Sequence, residues 1–77
     1  MKAWIIVDDR INSRSAIFEE IIKANSQQQA IDIAKRTWAA LSADDKKKCD
    51  AYYVGFADVD EEGCIDYDTM TDIYTIK

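Results

Sequence analysis

The chain has 77 residues, 48% of them hydrophobic, so it has room for one hydrophobic core and is predicted to form a single domain over residues 1–77. It contains no histidine and only two cysteines, which excludes Ser-His and Cys-His nucleophile pairs and a standard structural zinc site. Its net charge of −5 is unevenly distributed, because residues 49–77 carry one lysine against eight acidic residues.

This charge distribution and the short apolar runs restrict the partners and the location. A strongly acidic C-terminal part is unsuited to contact nucleic acid. The apolar run from Trp4 to Val7 is too short for a signal peptide, and no run approaches the length of a membrane span. We therefore expect a cytoplasmic protein that binds neither nucleic acid nor membrane, with Cys49 and Cys64 as reduced thiols. A disulfide between them is the less favoured interpretation.

The first third of the chain is predicted to form two strands. Residues 3–8, AWIIVD, are largely β-branched and aromatic and end at an acidic pair. Asn12 and Ser13 follow as a hairpin turn. The segment SAIFEEIIKA, residues 15–24, fits either a helix or a strand. We interpret it as a strand, because a clear helix start follows directly after it.

Two helices are predicted next. Ser26 is suited to the N-cap of the first, and Gln29 completes a capping box with it. The buried face of this helix is marked by residues at three- and four-residue intervals, namely Ala30, Ile33, Ala34, Thr37, Trp38 and Leu41. We expect Trp38 to form the centre of the helix–sheet core. Ser42 can cap a second, short helix that has two aspartates in its first turn and three lysines toward its end.

The C-terminal part is predicted to return as strands. Residues 51–59, AYYVGFADV, alternate between two faces, and Gly55 among bulky neighbours indicates a bulge or a close approach by another backbone or ring. After an acidic turn, residues 64–67 form the partner strand, and residues 69–77 form a strand or an extended edge. The predicted fold is α+β, a two-layer ββα(α)ββ arrangement in which one main helix packs on one face of an antiparallel sheet.

The turn between these strands, DVDEEGCIDYDT, resembles the calcium-binding loop of the EF-hand family. The acidic residues at positions 1, 3, 5 and 9 of the twelve-residue pattern are Asp58, Asp60, Glu62 and Asp66. The resemblance implies a calcium site. The sequence departs from the family at the last position, where Thr69 replaces a bidentate glutamate, and in its flanks, which favour strands. We therefore predict an acidic hairpin turn with Gly63 at positive φ, and a calcium site at those four carboxylates is the alternative.

No other group of residues predicts catalysis. The paired carboxylates are expected to be solvated in so small a chain. Cys49, at the C-terminal end of a predicted helix, is expected to be a poor nucleophile because that end of a helix raises a thiol pKa. The lysine run at residues 46–48 is interpreted as a solvated helix face. We therefore expect no enzymatic activity and no cofactor.

The sequence favours a small, acidic, non-enzymatic protein-interaction module, of a kind that would suit a bacterial or phage accessory protein. Aromatic side chains on an acidic sheet face or edge predict its surface, at Tyr53, Tyr67 and Tyr74. Its protein partner is unknown, and a homodimer is also considered, because a core of this size has little stability to spare. Two alternatives are a cation-responsive domain that uses the calcium-like loop and an acidic decoy that imitates a nucleic-acid backbone.

Overall fold

The computed structural model describes residues 1–10 and 17–77 of the chain. Its elements are β1 (Lys2–Arg10), β2 (Ile17–Ile22), α1 (Gln27–Ala40), α2 (Ala43–Lys48), β3 (Cys49–Val59) and β4 (Ile65–Thr75). The predicted α+β class is confirmed, with a four-stranded antiparallel sheet and the longer helix packed against it. The predicted turn at Asn12 and Ser13 lies outside the described residues. Neither described helix has the length and apolar character needed to cross a membrane.

The strand order is β2-β1-β3-β4, so β1 and β3 form the centre of the sheet and β2 and β4 form its edges. The ambiguous segment after the first strand is a strand, as predicted. It pairs with β1 in one unbroken register from Trp4 opposite Ile22 to Asp9 opposite Ile17. This regular pairing suits the β-branched and aromatic residues of β2, which pack well on a pleated surface.

Both predicted helix starts are confirmed by their hydrogen bonds. The Ser26 hydroxyl accepts a hydrogen bond from the Gln29 amide at 3.2 Å, and the Gln29 side chain accepts one from the Asn25 amide. The Gln29 side chain thus reaches one residue beyond the N-cap itself. The Ser42 hydroxyl accepts a hydrogen bond from the Asp45 amide at 3.1 Å and begins α2. Each cap satisfies an amide that has no partner within its own helix.

The core between helix and sheet is centred on Tyr52, not on Trp38. Ala30 and Ala34 of α1 are fully buried and let the helix approach the sheet closely, and Tyr52 fills the space beneath with 2% of its surface exposed. Trp38 is only partly buried. The centroid of its ring lies 5.0 Å from the centroid of the Tyr52 ring, and the Lys46 ammonium lies over the Trp38 ring, 5.7 Å from its centroid. The prediction is wrong because Trp38 stands in the last turn of α1, at the margin of the contact.

The opposite face of the sheet has its own apolar cluster, covered from β4. Its buried members are Ile5, Val7, Ala57 and Val59. Met70 packs against this cluster and lies directly on Gly55, where an added Cβ would stand only 2.8 Å from the Met70 sulfur. The predicted close approach by a backbone or a ring at Gly55 is wrong, because the approach is made by a methionine side chain, whereas the predicted bulge agrees with a register shift between Val54 and Gly55.

The C-terminal segment forms one strand of eleven residues instead of a short strand and a separate tail. Its pairing with β3 is irregular, with register shifts between Val54 and Gly55 and between Phe56 and Asp58. Such irregularities add unpaired residues and local twist to a strand. They accommodate all of β4, Ile65 to Thr75, opposite the shorter part of β3 from Tyr53 to Val59, and allow the strand to continue across positions that the sequence pattern divides.

Candidate functional site

The acidic turn is a hairpin between β3 and β4. Gly63 has a φ of 84°, which confirms the predicted left-handed position. One Asp60 carboxylate oxygen accepts hydrogen bonds from the amides of Glu62 and Cys64 at 2.9 and 2.8 Å. Asp60 therefore closes its own turn, as aspartates in Asx-type turns do.

The other residues of the calcium-like pattern also make contacts within the hairpin. Asp58 and Asp66 lie opposite each other on β3 and β4, and Lys2 forms an ion pair with Asp58 at 3.6 Å. The Thr69 hydroxyl accepts a hydrogen bond from the Asp58 amide and donates one to the Asp66 carbonyl, at 2.8 and 2.7 Å. Among residues 1–10 and 17–77, no three acidic or cysteine side chains are grouped as metal ligands.

The three tyrosines of the predicted surface lie on two different faces. Tyr53 is half-buried in the cluster on the face opposite the helices. Tyr67 is 56% exposed, and its hydroxyl donates a hydrogen bond to the Glu19 carboxylate across that same face. Tyr74 lies on the helix face, with the Lys35 ammonium of α1 5.0 Å from its ring. The structure thus brings Tyr53 and Tyr67 to one face and separates Tyr74 from them.

The most exposed apolar side chains of the described sheet, other than Tyr67, lie on the edge strand β2. Phe18 is 57% exposed and Ile21 is 43% exposed. Phe18 and Glu20 point toward the helix side, whereas Glu19 and Ile21 point to the opposite face. No described strand pairs with the outer edge of β2. This edge combines free backbone groups with apolar and acidic side chains.

An open cleft of about 280 Å³ lies beside this edge, between β2 and the second half of α1. Helix α1 packs mainly on the central strands β1 and β3, and Ile22 at one end of β2 joins the same core, so the Phe18 end of β2 extends beyond the area that the helix covers. The lining is mostly apolar and includes Ile6, Phe18, Thr37, Leu41 and Tyr52, together with the carboxylates of Asp8 and Glu20. The cleft is therefore a small apolar space with acidic groups at its border.

Arg10 forms ion pairs with two carboxylates at one end of the cleft. Its Nε and Nη2 donate to Asp8 at 2.9 and 2.8 Å, and its Nη1 donates to Asp45 of α2 at 3.1 Å. The hydrogen bond to Asp8 raises the pKa of Arg10, and the hydrogen bond from Arg10 lowers the pKa of Asp45. The same guanidinium lies 5.4 Å from the Phe18 ring. Arg10 therefore links β1, β2 and α2 at this end of the cleft.

Two neutral groups lie beneath Asp8. Burial, followed by the Asp8 and Glu20 carboxylates, raises the pKa of Tyr52 to about 12. Burial and the neighbouring Asp8 carboxylate raise the pKa of Cys49 to about 11, and the thiol donates a hydrogen bond to the Ala51 carbonyl at 3.1 Å. Cys49 and Cys64 are both free cysteines, the first buried and the second exposed. Cys49 is thus unsuited to act as a thiolate, as predicted, although burial is the main cause rather than the end of a helix.

The sequence did not identify the cleft. Asp8, Glu20, Thr37 and Tyr52 come from four elements, and only the strand order brings them together. A signal was present in β2, where two glutamates interrupt the apolar strand IFEEII. Charged residues at the centre of such a strand are typical of an exposed edge. Comparisons of the chain with protein-family models, with curated proteins and with solved structures found no match.

Proposed function

We propose that this chain is a small, non-enzymatic protein-interaction module that binds an extended segment of a partner along β2. The observation that carries the proposal is the regular edge strand β2, which exposes Ile21 on one face and, on the other, Phe18 beside a cleft of about 280 Å³. A segment that adds to a sheet edge gains main-chain hydrogen bonds, and its alternate side chains enter neighbouring pockets. Both requirements are met at this edge.

The test is a selection of peptides. A library of random ten-residue peptides is enriched on the immobilised protein, and the enriched peptides are measured individually by fluorescence anisotropy. The proposal predicts peptides with alternating apolar residues. Phe18→Lys is expected to weaken their binding by about tenfold, since a loss of about 1.4 kcal/mol corresponds to tenfold in affinity.

The matched control introduces the same residue on the other edge strand. Thr71 is exposed on β4, so Thr71→Lys changes the net charge equally without altering β2. Binding by Thr71→Lys is expected to stay within about twofold of the unmodified protein. The proposal fails if no peptide is enriched or if the two variants weaken binding equally.

The other functional interpretations stay predictions. Cytoplasmic location, an accessory role in a bacterium or phage, homodimerisation, a calcium response at residues 58–66 and imitation of a nucleic-acid backbone were each derived from the sequence. No contact described above favours one of them over binding at β2. The peptide selection does not depend on any of them.

A further inference from the structure

Glu20 is the carboxylate of the cleft that points to the helix side and has no ion-pair partner in the described part of the chain. Asp8 receives two hydrogen bonds from Arg10, and Glu19 accepts the hydroxyl of Tyr67. None of the ion pairs found among residues 1–10 and 17–77 involves Glu20. An incoming cation would therefore not have to displace a Lys or Arg of those residues from Glu20.

A buried tyrosine lines the same cleft. It is Tyr52, and only 2% of its surface is exposed. All fully buried polar side-chain atoms of the described residues have hydrogen-bond partners. After burial, the Asp8 and Glu20 carboxylates, which also line the cleft, raise the pKa of the Tyr52 hydroxyl, so this hydroxyl lies near both of them.

The balance of charge at the cleft selects the ligand. Among the described residues, Arg10 forms ion pairs with Asp8 and Asp45, whereas Glu20, which also lines the cleft, is in no ion pair. This excess of negative charge attracts a cation and repels a carboxylate. The apolar lining further favours a cation carried on an aliphatic stem.

We propose that the cleft holds one cationic side chain, a lysine or an arginine, of an extended basic protein segment paired with β2. This inference deepens the proposed function and rests on it. Side chains alternate along a strand, so a partner residue beside Glu20 points to the helix side and enters the cleft. Its stem contacts Phe18 and Leu41, and its charged end reaches Glu20 and the Tyr52 oxygen.

A second copy of this chain fits β2 poorly. Two copies of a strand that pair antiparallel around a two-fold axis place one residue opposite itself. For most of β2 to remain paired, that residue is Glu19 or Glu20. Like charges directly opposite each other destabilise a sheet, so the occupant is a partner with basic residues.

The experiment uses the peptide acetyl-Thr-Val-Thr-Lys-Thr-Val-Thr-amide and a second peptide with norleucine in place of lysine. Their affinities are measured from amide shifts of β2 in the full chain. The lysine peptide is expected to bind about tenfold more tightly, because its ammonium adds a hydrogen bond between charged groups that norleucine lacks. Butylammonium alone, which has the cation without the strand, is expected to bind far more weakly than the peptide.

Protein variants separate the groups of the cleft. Glu20→Gln is expected to weaken binding of the lysine peptide about tenfold and to leave the norleucine peptide unchanged. Tyr52→Phe keeps the ring and is expected to weaken the lysine peptide about threefold to tenfold. The control Glu61→Gln removes the same charge from the exposed turn and is expected to change neither affinity by more than about twofold.

Three results would overturn the inference. If the two peptides bind equally and Phe18→Lys weakens both, the cleft does not hold a cation, but β2 remains the binding strand. If neither peptide binds, both the cation in the cleft and the pairing of these peptides with β2 are contradicted. If sedimentation equilibrium shows a dimer that Glu20→Gln strengthens and the lysine peptide does not dissociate, β2 is occupied by a second copy.

Discussion

The two edge strands of the sheet differ in regularity and in what their side chains do. β2 has six residues in one unbroken register with β1, and it exposes Phe18 and Ile21. β4 has eleven residues and two register shifts against β3, and its Met70 covers the apolar cluster on the face opposite the helices. One edge is thus available to a partner, whereas the other is used to complete the fold.

This difference shows that exposure of an edge and availability for pairing are separate properties. Bulged, irregular edge strands pair poorly with additional strands, because their backbone groups are out of alignment. β4 carries such irregularities along its length, and it also supplies the acidic hairpin. β2 has neither feature, and its protection against self-pairing lies in Glu19 and Glu20. The following predictions test this contrast, from the largest expected effect to the smallest.

Truncation of Met70 is expected to cost more stability than truncation of Ile21, an exposed aliphatic residue of β2. Met70→Ala uncovers Gly55 and the cluster around Ile5 and Val7, and should lower the free energy of unfolding by about 2 kcal/mol. Ile21→Ala, at a side chain that is 43% exposed, should lower it by less than about 1 kcal/mol. Urea unfolding of both variants gives the comparison, and equal losses would contradict it.

The buried Cys49 and the exposed Cys64 allow the core and the acidic turn to be compared at alkaline pH. Because the folded state raises the pKa of Cys49 from 9.0 to about 11, its stabilising contribution is complete below pH 9 and is lost as the pH rises toward 11. Cys49→Ala should remove about 1.4 kcal/mol from the loss of stability between pH 7 and pH 10.

The control for this pH dependence is Cys64→Ala. Cys64 is exposed at the end of the acidic turn next to β4, so its replacement removes a surface thiol and leaves the buried thiol of Cys49 in place. Urea unfolding at several pH values provides the measurement. A slope that changes with Cys64 and not with Cys49 would show that the group responsible lies outside the core.

The acidic turn should be sensitive to backbone strain rather than to loss of packing. Gly63 has a φ of 84° and nothing within 4 Å of an added Cβ, so Gly63→Ala introduces strain without a collision. It should lower stability by about 1 kcal/mol. A matched Gly63→Asn variant, which tolerates this conformation better, should recover part of the loss. Equal stability of the Ala variant and the unmodified chain would contradict the turn geometry.

The smallest effect is expected at Asp45, which Arg10 links to β1. A hydrogen bond from Arg10 lowers the pKa of Asp45, so its contribution to stability is present above the unfolded value and is lost as the pH falls through the folded one. Carboxyl NMR should show Asp45 titrating below its ordinary range and returning toward it in Arg10→Gln. Lys2→Gln, which breaks a different ion pair, should leave the titration unchanged.

Local signals in the sequence were sufficient for the class of fold and for most elements. Caps at Ser26 and Ser42 are local hydrogen-bond patterns, and the position of Gly63 follows from turn chemistry. The order of the strands and the irregular register of β4 depend on contacts between distant segments, which periodicity does not encode. Trp38 was assigned too central a position, because periodicity gives the face of a helix and not its depth.

The candidate site was predictable only in part for the same reason. The acidic, aromatic character of the C-terminal half is evident from the sequence, and it predicts an interaction surface at Tyr53, Tyr67 and Tyr74. The cleft arises instead from an offset between α1 and β2, which leaves Phe18 and Glu20 beyond the area that the helix covers. Apart from the pair Glu19 and Glu20 within an apolar strand, no pattern of residue types along the chain reports that offset.

The most direct test of binding at β2 is the detection of backbone contacts between the lysine peptide and the protein. Intermolecular nuclear Overhauser effects are measured on the labelled chain with the bound peptide. We predict contacts between peptide backbone protons and the amides of residues 17–22, together with a contact from the lysine side chain to the Tyr52 ring. Contacts confined to β4 or to the acidic turn would contradict the account.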